Sequence, residues 1–208
     1  GEIPAEFANL INLSDLDLSW NQFTSVPAGL GSLTNLRSLR LSGNQLSGTI
    51  PDALGDLSNL EWLDLGQNQF TGSIPATLAQ LTKLQDLNLG GNQLSGEIPA
   101  EFANLINLSG LDLSSNQFTS LPAGLGLLTN LRSLYLRDNL LTGAIPDALG
   151  GLSSLEWLDL GQNQFIGSIP ATLGQLTNLR SLYLYSNQLS GEIPAEFANL
   201  INLSDLDL

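Results

Sequence analysis

The sequence predicts an α/β solenoid, a right-handed and gently curved coil with a parallel β-sheet on its concave side and an irregular or 3₁₀ convex side. The first observation is a frame, LxxLxLxxN, that occurs eight times. The second is its spacing, because the closing asparagines follow one another at 23, 24, 24, 24, 23, 24 and 24 residues. A fixed period of about 20–50 residues is typical of proteins that stack one structural unit per repeat. We therefore expect residues 1–208 to form a single solenoid of eight units of 23–24 residues with partial ends.

Each unit is predicted to begin with a short strand. Leucine at alternate positions of LxLxL places the leucines on one face of a strand and the intervening residues on the other. One strand per unit, always in the same direction, stacks into a parallel sheet. The closing asparagine marks the turn out of the strand, where its amide is expected to hydrogen-bond main-chain groups of its own unit and the next one. These asparagines are Asn21, Asn44, Asn68, Asn92, Asn116, Asn139, Asn163 and Asn187.

The rest of each unit is predicted to cross the core and return along the convex side. All nine prolines follow Ile, Val or Leu, as in Ile50-Pro51, and proline fixes an extended, non-helical path there. Two units, with TSVP at 24–27 and TSLP at 119–122, lack the glycine that precedes the others, which shortens one turn. A Phe or Leu two residues after each asparagine is expected to stack as an internal spine: Phe23, Leu46, Phe70, Leu94, Phe118, Leu141, Phe165 and Leu189.

The fuller motif, NxLSGxIPxxLxxLxxLxxLxLxxN, resembles the plant-type (SGxIP) class of leucine-rich repeats over the whole chain. That class includes the ectodomains of receptor-like kinases and the polygalacturonase inhibitors. The resemblance implies a non-catalytic recognition solenoid, extracellular or at the cell surface, that binds protein, peptide or carbohydrate on its concave side. The chain departs from the class in one respect, since ectodomains of the class carry cysteine-containing caps and this sequence has no cysteine.

The sequence also repeats with a second, longer period of 95 residues. Residues 1–95 match residues 96–190 with only twenty differences, and residues 191–208 repeat the first eighteen letters. This pattern favours a scaffold that is a segment of a longer tandem array, or of a fibre in which copies of the chain continue end to end. The alternative is a fragment of a recognition ectodomain. An uncapped solenoid end exposes leucines and unpaired strand groups, on which another chain can stack.

The differences between the two copies indicate a candidate binding surface. The five x positions of LxxLxLxxN face the concave side, and ten of the twenty differences fall there. In the second copy they gather aromatic side chains among charged ones, which suits a sugar ring or a peptide. Aromatic residues also pack well on any sheet surface, so the structural interpretation stays open. The candidate ligand-binding residues are Tyr135, Arg137, Trp157, Asp159, Arg180, Tyr183 and Tyr185.

Two weaker signals lie elsewhere in the unit. Asn12, Asn107 and Asn202 each begin an Asn-Leu-Ser sequon on the convex edge, and they are glycosylation candidates if the chain is made in a eukaryotic secretory pathway. The same letters also serve as repeat consensus. A regular Ser/Thr ladder raises the further alternative of ice binding, since a plant protein with leucine-rich repeats has antifreeze activity. The ladder comprises Thr24, Ser47, Thr71, Ser95, Thr119 and Thr142, and Ile166 interrupts it.

Composition excludes several classes of function. Without His or Cys, the chain can form no Ser-His or Cys-His nucleophile and no His or thiolate metal site. Asp15 and Asp17 share one strand face, but an open sheet offers no dry pocket that would raise one pKa, so we expect no catalytic residue, metal or cofactor. Twenty acidic and six basic residues give a net charge of −14, which repels nucleic acid and anionic membranes. No apolar run has the length of a membrane helix.

Overall fold

A computed structural model describes all 208 residues as one stack of nine coils. The concave side is a nine-stranded sheet to which each coil contributes one strand, and every neighbouring pair is parallel. The register never slips, because the central leucines stay opposite one another from Leu16 and Leu39 to Leu182 and Leu206. The predicted parallel sheet is confirmed. Its strands are β1 (Asp15–Asp17), β2 (Ser38–Arg40), β4 (Trp62–Asp64), β6 (Asp86–Asn88), β8 (Gly110–Asp112), β10 (Ser133–Tyr135), β12 (Trp157–Asp159), β14 (Ser181–Tyr183) and β16 (Asp205–Asp207).

The convex side consists of nine 3₁₀ helices, which confirms that part of the prediction. Each helix follows a proline in extended conformation, such as Pro51 at φ −64° and ψ 129°, and each has five residues. Because proline cannot donate a hydrogen bond, it stands where the helix needs no donor. The helices are η1 (Ala5–Asn9), η2 (Ala28–Ser32), η3 (Asp52–Asp56), η4 (Ala76–Gln80), η5 (Ala100–Asn104), η6 (Ala123–Leu127), η7 (Asp147–Gly151), η8 (Ala171–Gln175) and η9 (Ala195–Asn199).

A second set of short parallel strands, which the sequence reasoning missed, lies between the concave sheet and the 3₁₀ helices. Where β7 meets β9, the register shifts between Gly96 and Glu97. Glu97 stands opposite Ser120 there, so Thr119 of the shorter TSLP unit has no partner in the register. The strands form one four-stranded and one three-stranded sheet: β3 (Ser47–Gly48), β5 (Gln69–Gly72), β7 (Gln93–Glu97) and β9 (Gln117–Ser120), then β11 (Thr142–Gly143), β13 (Gln164–Gly167) and β15 (Gln188–Leu189).

One continuous apolar core of 49 buried residues runs along the stack. Its leucines come from the strands and from the 3₁₀ helices, and the predicted spine lies inside it. Phe70, Phe118 and Phe165 are at most 1% exposed, whereas Phe23 and Leu189 are partly buried against the same core. Since each coil contributes the same set of side chains, the core has the same cross-section from coil to coil.

The repeated asparagines join neighbouring coils through their side chains. Asn68 Nδ2 donates to the carbonyl oxygens of Leu41, Leu65 and Gly66 at 3.0, 3.1 and 3.0 Å. Its Oδ1 accepts the main-chain N–H of Leu46 at 3.1 Å. Leu41 and Leu46 belong to the preceding coil, so the expectation of bonds to the next unit was wrong in direction. The asparagine side chain is therefore directed towards the turn of the preceding coil, where Leu46 lies.

The residue before each asparagine turns the chain sharply out of the strand. It adopts left-handed backbone geometry, which costs about 1–2 kcal/mol for a residue other than glycine. Glycine stands there at Gly43 and Gly91, but six other coils use a larger residue. These residues, with φ from 51° to 59°, are Trp20, Gln67, Ser115, Asp138, Gln162 and Ser186.

Candidate functional site

Three neighbouring strands bring together the core of the predicted binding surface. Tyr135, Asp159 and Tyr183 stand opposite one another in one row across β10, β12 and β14. Strand pairing separates neighbours in such a row by about 4.8 Å. Trp157 precedes Asp159 by two residues and therefore lies on the same face of β12, with 38% of its surface exposed. The concave sheet thus presents three aromatic rings around one carboxylate.

Arg137 and Tyr185 extend this surface over the turns that follow the strands. The Cζ atom of Arg137 lies 5.7 Å from the centroid of the Tyr185 ring, within the range of a cation–π contact. The Nε–H of Arg137 also donates to Oε1 of Gln162 at 2.7 Å. Gly161 makes room for the ring, because a Cβ there would lie 2.6 Å from Cε1 of Tyr185. Both side chains are therefore held in place by contacts within the protein.

Arg180, the last predicted residue, belongs to an ion-pair triad beside the aromatic cluster. Its Nε lies 3.0 Å from Glu156 Oε2, and Nη1 of Arg132 lies 3.1 Å from Glu156 Oε1. Both arginines are about two-thirds exposed, at 66% and 61%, so the triad adds little to stability. The charge of Arg180 is already shared with Glu156, and its contribution to a ligand would be weaker than that of the rings.

Burial alters the acid–base properties of the cluster. It raises the pKa of the Tyr135 phenol, and the negative charges of Asp112 and Asp159 raise it further. It also raises the pKa of Asp159, although the Gly161 N–H, at 2.9 Å from Oδ1, and the Arg137 charge oppose the shift. Tyr135 therefore remains a protonated hydrogen-bond donor at neutral pH. The surface combines flat apolar faces with donors and acceptors, which is suited to binding rather than to proton transfer.

The sequence reasoning missed a shallow depression that adjoins the aromatic cluster. Gly110 forms part of its floor, where the equivalent positions of the other copies carry Asp15 and Asp205. Burial raises the pKa of Asp86 at its edge, and the charges of Asp64 and Asp112 add to that shift. The replacement of aspartate by glycine at Gly110 is visible in the sequence. The depression also depends on the direction of the Asp86 side chain, which the sequence does not show. Its volume is about 190 Å³, and it is lined by Asp86, Asn88, Gly110, Leu111, Asp112, Ser133 and Tyr135.

The asparagines of the three sequons lie exposed on the convex edge, away from the concave surface. The side-chain amides of Asn107 and Asn202 donate to the carbonyl oxygens of Thr82 and Thr177 at 2.8 Å each. Asn178, which begins no sequon, makes the same bond to Ser153. The position therefore has a structural use in coils with and without a sequon.

Comparison with known families and structures gives consistent matches. The family described as "Leucine-rich repeat region" matches residues 76–208, and "Leucine rich repeat" descriptions match residues 34–94 and 12–33. The ectodomain of the Arabidopsis thaliana receptor kinase GASSHO1/SCHENGEN3, solved with CASPARIAN STRIP INTEGRITY FACTOR 2, is 42% identical over 93% of the chain, with a TM-score of 0.92. The ectodomain of the Arabidopsis receptor kinase HAESA, solved with an N-terminally extended IDA peptide hormone ligand, is 38% identical over 100% of the chain, with a TM-score of 0.95.

A plant ice-binding protein is also similar, at 28% identity over 94% of the chain and 71% of its own length, with a TM-score of 0.68. The chain spans only 24% and 36% of the two receptor ectodomains. No curated protein sequence matches it. None of its helices has the length and apolar character needed to cross a bilayer.

Proposed function

Since the chain belongs to the leucine-rich repeat family, as the match over residues 76–208 shows, we propose that it is a non-catalytic binding scaffold of the plant-type class. Its concave face takes an extended peptide or a segment of a protein, and it works outside the cell or at the cell surface. The aromatic cluster of Tyr135, Trp157 and Tyr183 carries this proposal, because rings on adjacent strands in one register offer a continuous contact surface. The two receptor ectodomains, one of them solved with a peptide hormone, support it.

A peptide library selected against the whole chain should yield ligands whose affinity depends on the cluster. Trp157→Ala and Tyr183→Ala should each weaken binding about tenfold or more, since buried aromatic anchors dominate such interfaces. Trp62→Ala is the matched control, because Trp62 occupies the same position in the first copy, where the neighbouring row carries Arg40 and Asn88 in place of Tyr135 and Tyr183. Titration calorimetry measures the affinities, and circular dichroism checks the fold. Ligands that bind all variants alike would contradict the proposal, and glycans that depend on Trp157 would favour a carbohydrate.

Stacking of copies end to end is a second proposed property, consistent with an array or fibre. Residues 191–208 form the same elements as residues 1–18, a 3₁₀ helix followed by a concave strand. A head-to-tail contact between such coils does not close on itself and should give filaments. We expect elongated particles in electron micrographs of concentrated protein, whereas a monomer at all concentrations in analytical ultracentrifugation would argue against stacking.

Ice binding is a third candidate, supported by the plant ice-binding protein and by the Ser/Thr ladder. Thr71, Thr119 and Thr142 lie exposed on the short strands of the flank, where their side chains form a regular row. The hydroxyls of Thr119 and Thr142 already donate to the carbonyl oxygens of Gly96 and Thr119 at 3.2 and 3.3 Å. Some hydroxyl groups of the ladder therefore already form hydrogen bonds within the protein, which makes ice binding a weaker candidate than peptide binding. Thermal hysteresis distinguishes the two.

A further inference from the structure

In the first copy, two side chains at the turn before the repeated asparagine lie over a glycine of the next coil. The amide of Gln67 lies over Gly91, where an added Cβ would come within 2.8 Å of Gln67 Cδ. The indole of Trp20 lies over Gly43 in the same way, and an added Cβ there would be 2.6 Å from Trp20 Cδ2. In the second copy both glycines are replaced by larger residues. Side chains at this turn therefore meet different neighbours in the two copies.

Gln162 is the second-copy equivalent of Gln67, and its side chain points in the opposite direction. Both glutamines have the same left-handed φ of 52°. Ser186 stands where the first copy has Gly91, so its Cβ occupies the space into which the Gln67 amide fits. The Gln162 side chain instead reaches the preceding coil, where its Oε1 accepts the Nε–H of Arg137 at 2.7 Å. Residues of the neighbouring coils therefore set the direction of this glutamine.

Two contacts within the second copy hold the guanidinium group of Arg137. Its Nε–H is bonded to Gln162, and its Cζ lies 5.7 Å from the centroid of the Tyr185 ring. Its Nη1 and Nη2 atoms make no hydrogen bond within the protein and no ion pair within 4.0 Å. They are therefore free to donate to acceptor oxygens of a bound molecule. The first copy has Ser42 and Gly90 at the positions of Arg137 and Tyr185 and cannot form this arrangement.

We propose that Ser186 and Gln162 are positioning residues of the peptide-binding surface. Ser186 turns Gln162 towards Arg137. Gln162 then keeps the guanidinium over the Tyr185 ring, where it donates to acceptor oxygens of a bound peptide. Because an arginine that is ordered before binding loses less conformational entropy, this arrangement strengthens binding. The inference rests on the proposed peptide-binding function and assigns that function to the second copy, which alone has these residues.

The stability of the fold does not account for Ser186. At its φ of 54° the backbone favours glycine, which the first copy has at the same turn. The hydrogen bond between Arg137 and Gln162 lies on the exposed surface, where water can replace it and its contribution to folding is small. Backbone geometry that is unfavourable for the residue present is typical of binding sites. A positioning role explains why serine stands where glycine would cost less.

Nuclear magnetic resonance of the whole chain measures the positioning directly, through the Nε–H signals of its five arginines. The Arg137 signal, identified by its loss in Arg137→Lys, should exchange with water about threefold to fivefold faster in Gln162→Ala and in Ser186→Gly. The Nε–H of Arg180 is bonded to Glu156 at 3.0 Å and should not change, which makes it an internal control. Gln67→Ala is the matched control variant and should leave all five signals unchanged.

Peptides selected for their dependence on Trp157 and Tyr183 test whether binding uses the positioned arginine. Gln162→Ala and Ser186→Gly should each weaken their binding about threefold to fivefold, as the loss of one hydrogen bond does. Gln67→Ala should leave the affinity unchanged. Ser186→Gly is the sharper variant, because glycine suits the left-handed backbone and should not lower the midpoint of urea unfolding. A variant that weakens binding without weakening the fold separates positioning from a structural role.

The outcomes separate this inference from the proposed function. Unchanged exchange at Arg137 in Gln162→Ala, or in Ser186→Gly, would overturn the positioning. Faster exchange with unchanged peptide affinity would show that binding does not use Arg137, and the inference would fail while the proposed function stands on Trp157 and Tyr183. If no selected peptide depends on those two rings, the proposed function fails and the inference fails with it.

Discussion

Replacing Gly126 with alanine should lower the free energy of unfolding by about 3 kcal/mol, as overpacking of a tight contact does. Gly126 lies in η6, and an added Cβ would come within 2.1 Å of the carbonyl oxygen of Ala148 in the next 3₁₀ helix. The obstructing atom belongs to the main chain, so the strain can be relieved only by separating the two coils. Urea denaturation followed by far-ultraviolet circular dichroism measures the loss.

The chain provides a matched control for this substitution. Gly174→Ala adds the same Cβ in η8, where it would approach Glu196 at 2.6 Å. The equivalent residue of the first copy is Ala79, which is only 5% exposed and packs against a coil of the same AEFAN sequence. Because that interface already accommodates a Cβ, we expect Gly174→Ala to cost less than about 1 kcal/mol. Equal losses for the two variants would show that the contact with Ala148 is not what makes Gly126 necessary.

The second large effect is expected from Asn163→Ala. Asn163 Nδ2 donates to the carbonyl oxygens of Leu136, Leu160 and Gly161 at 3.0, 3.1 and 3.1 Å, and its Oδ1 accepts the N–H of Leu141 at 3.1 Å. Alanine leaves the Leu141 N–H unpaired in the interior, whereas each of the three carbonyl oxygens loses one of two donors and keeps the other, from Asn139, Asn187 or the Asp138 N–H. An unpaired buried group costs about 1–3 kcal/mol and each lost hydrogen bond about 0.5–1.5 kcal/mol, so we expect a total loss of about 3–5 kcal/mol.

An exposed asparagine serves as the control for Asn163. Asn178 makes a single bond, to the carbonyl oxygen of Ser153 at 2.8 Å, at the convex edge where water can replace it. Asn178→Ala should therefore cost less than about 1 kcal/mol in the same denaturation experiment. A loss at Asn163 no larger than at Asn178 would mean that the turn rearranges and pairs its groups in another way. Hydrogen exchange of the Leu141 amide would show directly whether that group becomes unprotected.

The sequence was most informative where one residue has one environment in every coil. The leucines at the centres of the strands, such as Leu39 and Leu134, are fully buried because alternation on a strand leaves no other face for them. The same alternation predicts that Tyr135, Asp159 and Tyr183 share the concave face of the sheet, where they stand in one row. Both predictions rest on period and register alone, and a solenoid keeps these constant.

Other features depend on how the coils close, and the sequence reasoning missed them. The short flank strands such as β5 carry no distinctive pattern, and they pair only because neighbouring coils hold them side by side. The left-handed geometry of Gln67 and Gln162 has no glycine to signal it in the sequence. The stacking of Arg137 on Tyr185 requires the space above Gly161, which only the folded turn reveals.

The hydrogen bonds between coils join only neighbouring coils, and this determines how the molecule responds to a pulling force. The hydrogen bonds of the parallel sheets point along the stack, and the chain enters at one end of it and leaves at the other. A force that pulls the two ends apart therefore acts along the hydrogen bonds between strands. Neighbouring strands then separate one pair at a time, whereas a shearing force would load all pairs together. Each coil that detaches releases 23–24 residues, or roughly 80 Å of extended chain, while the stack shortens by about 4.8 Å. Under tension such a molecule should lengthen in equal steps, while the coils that remain stacked keep their part of the concave sheet.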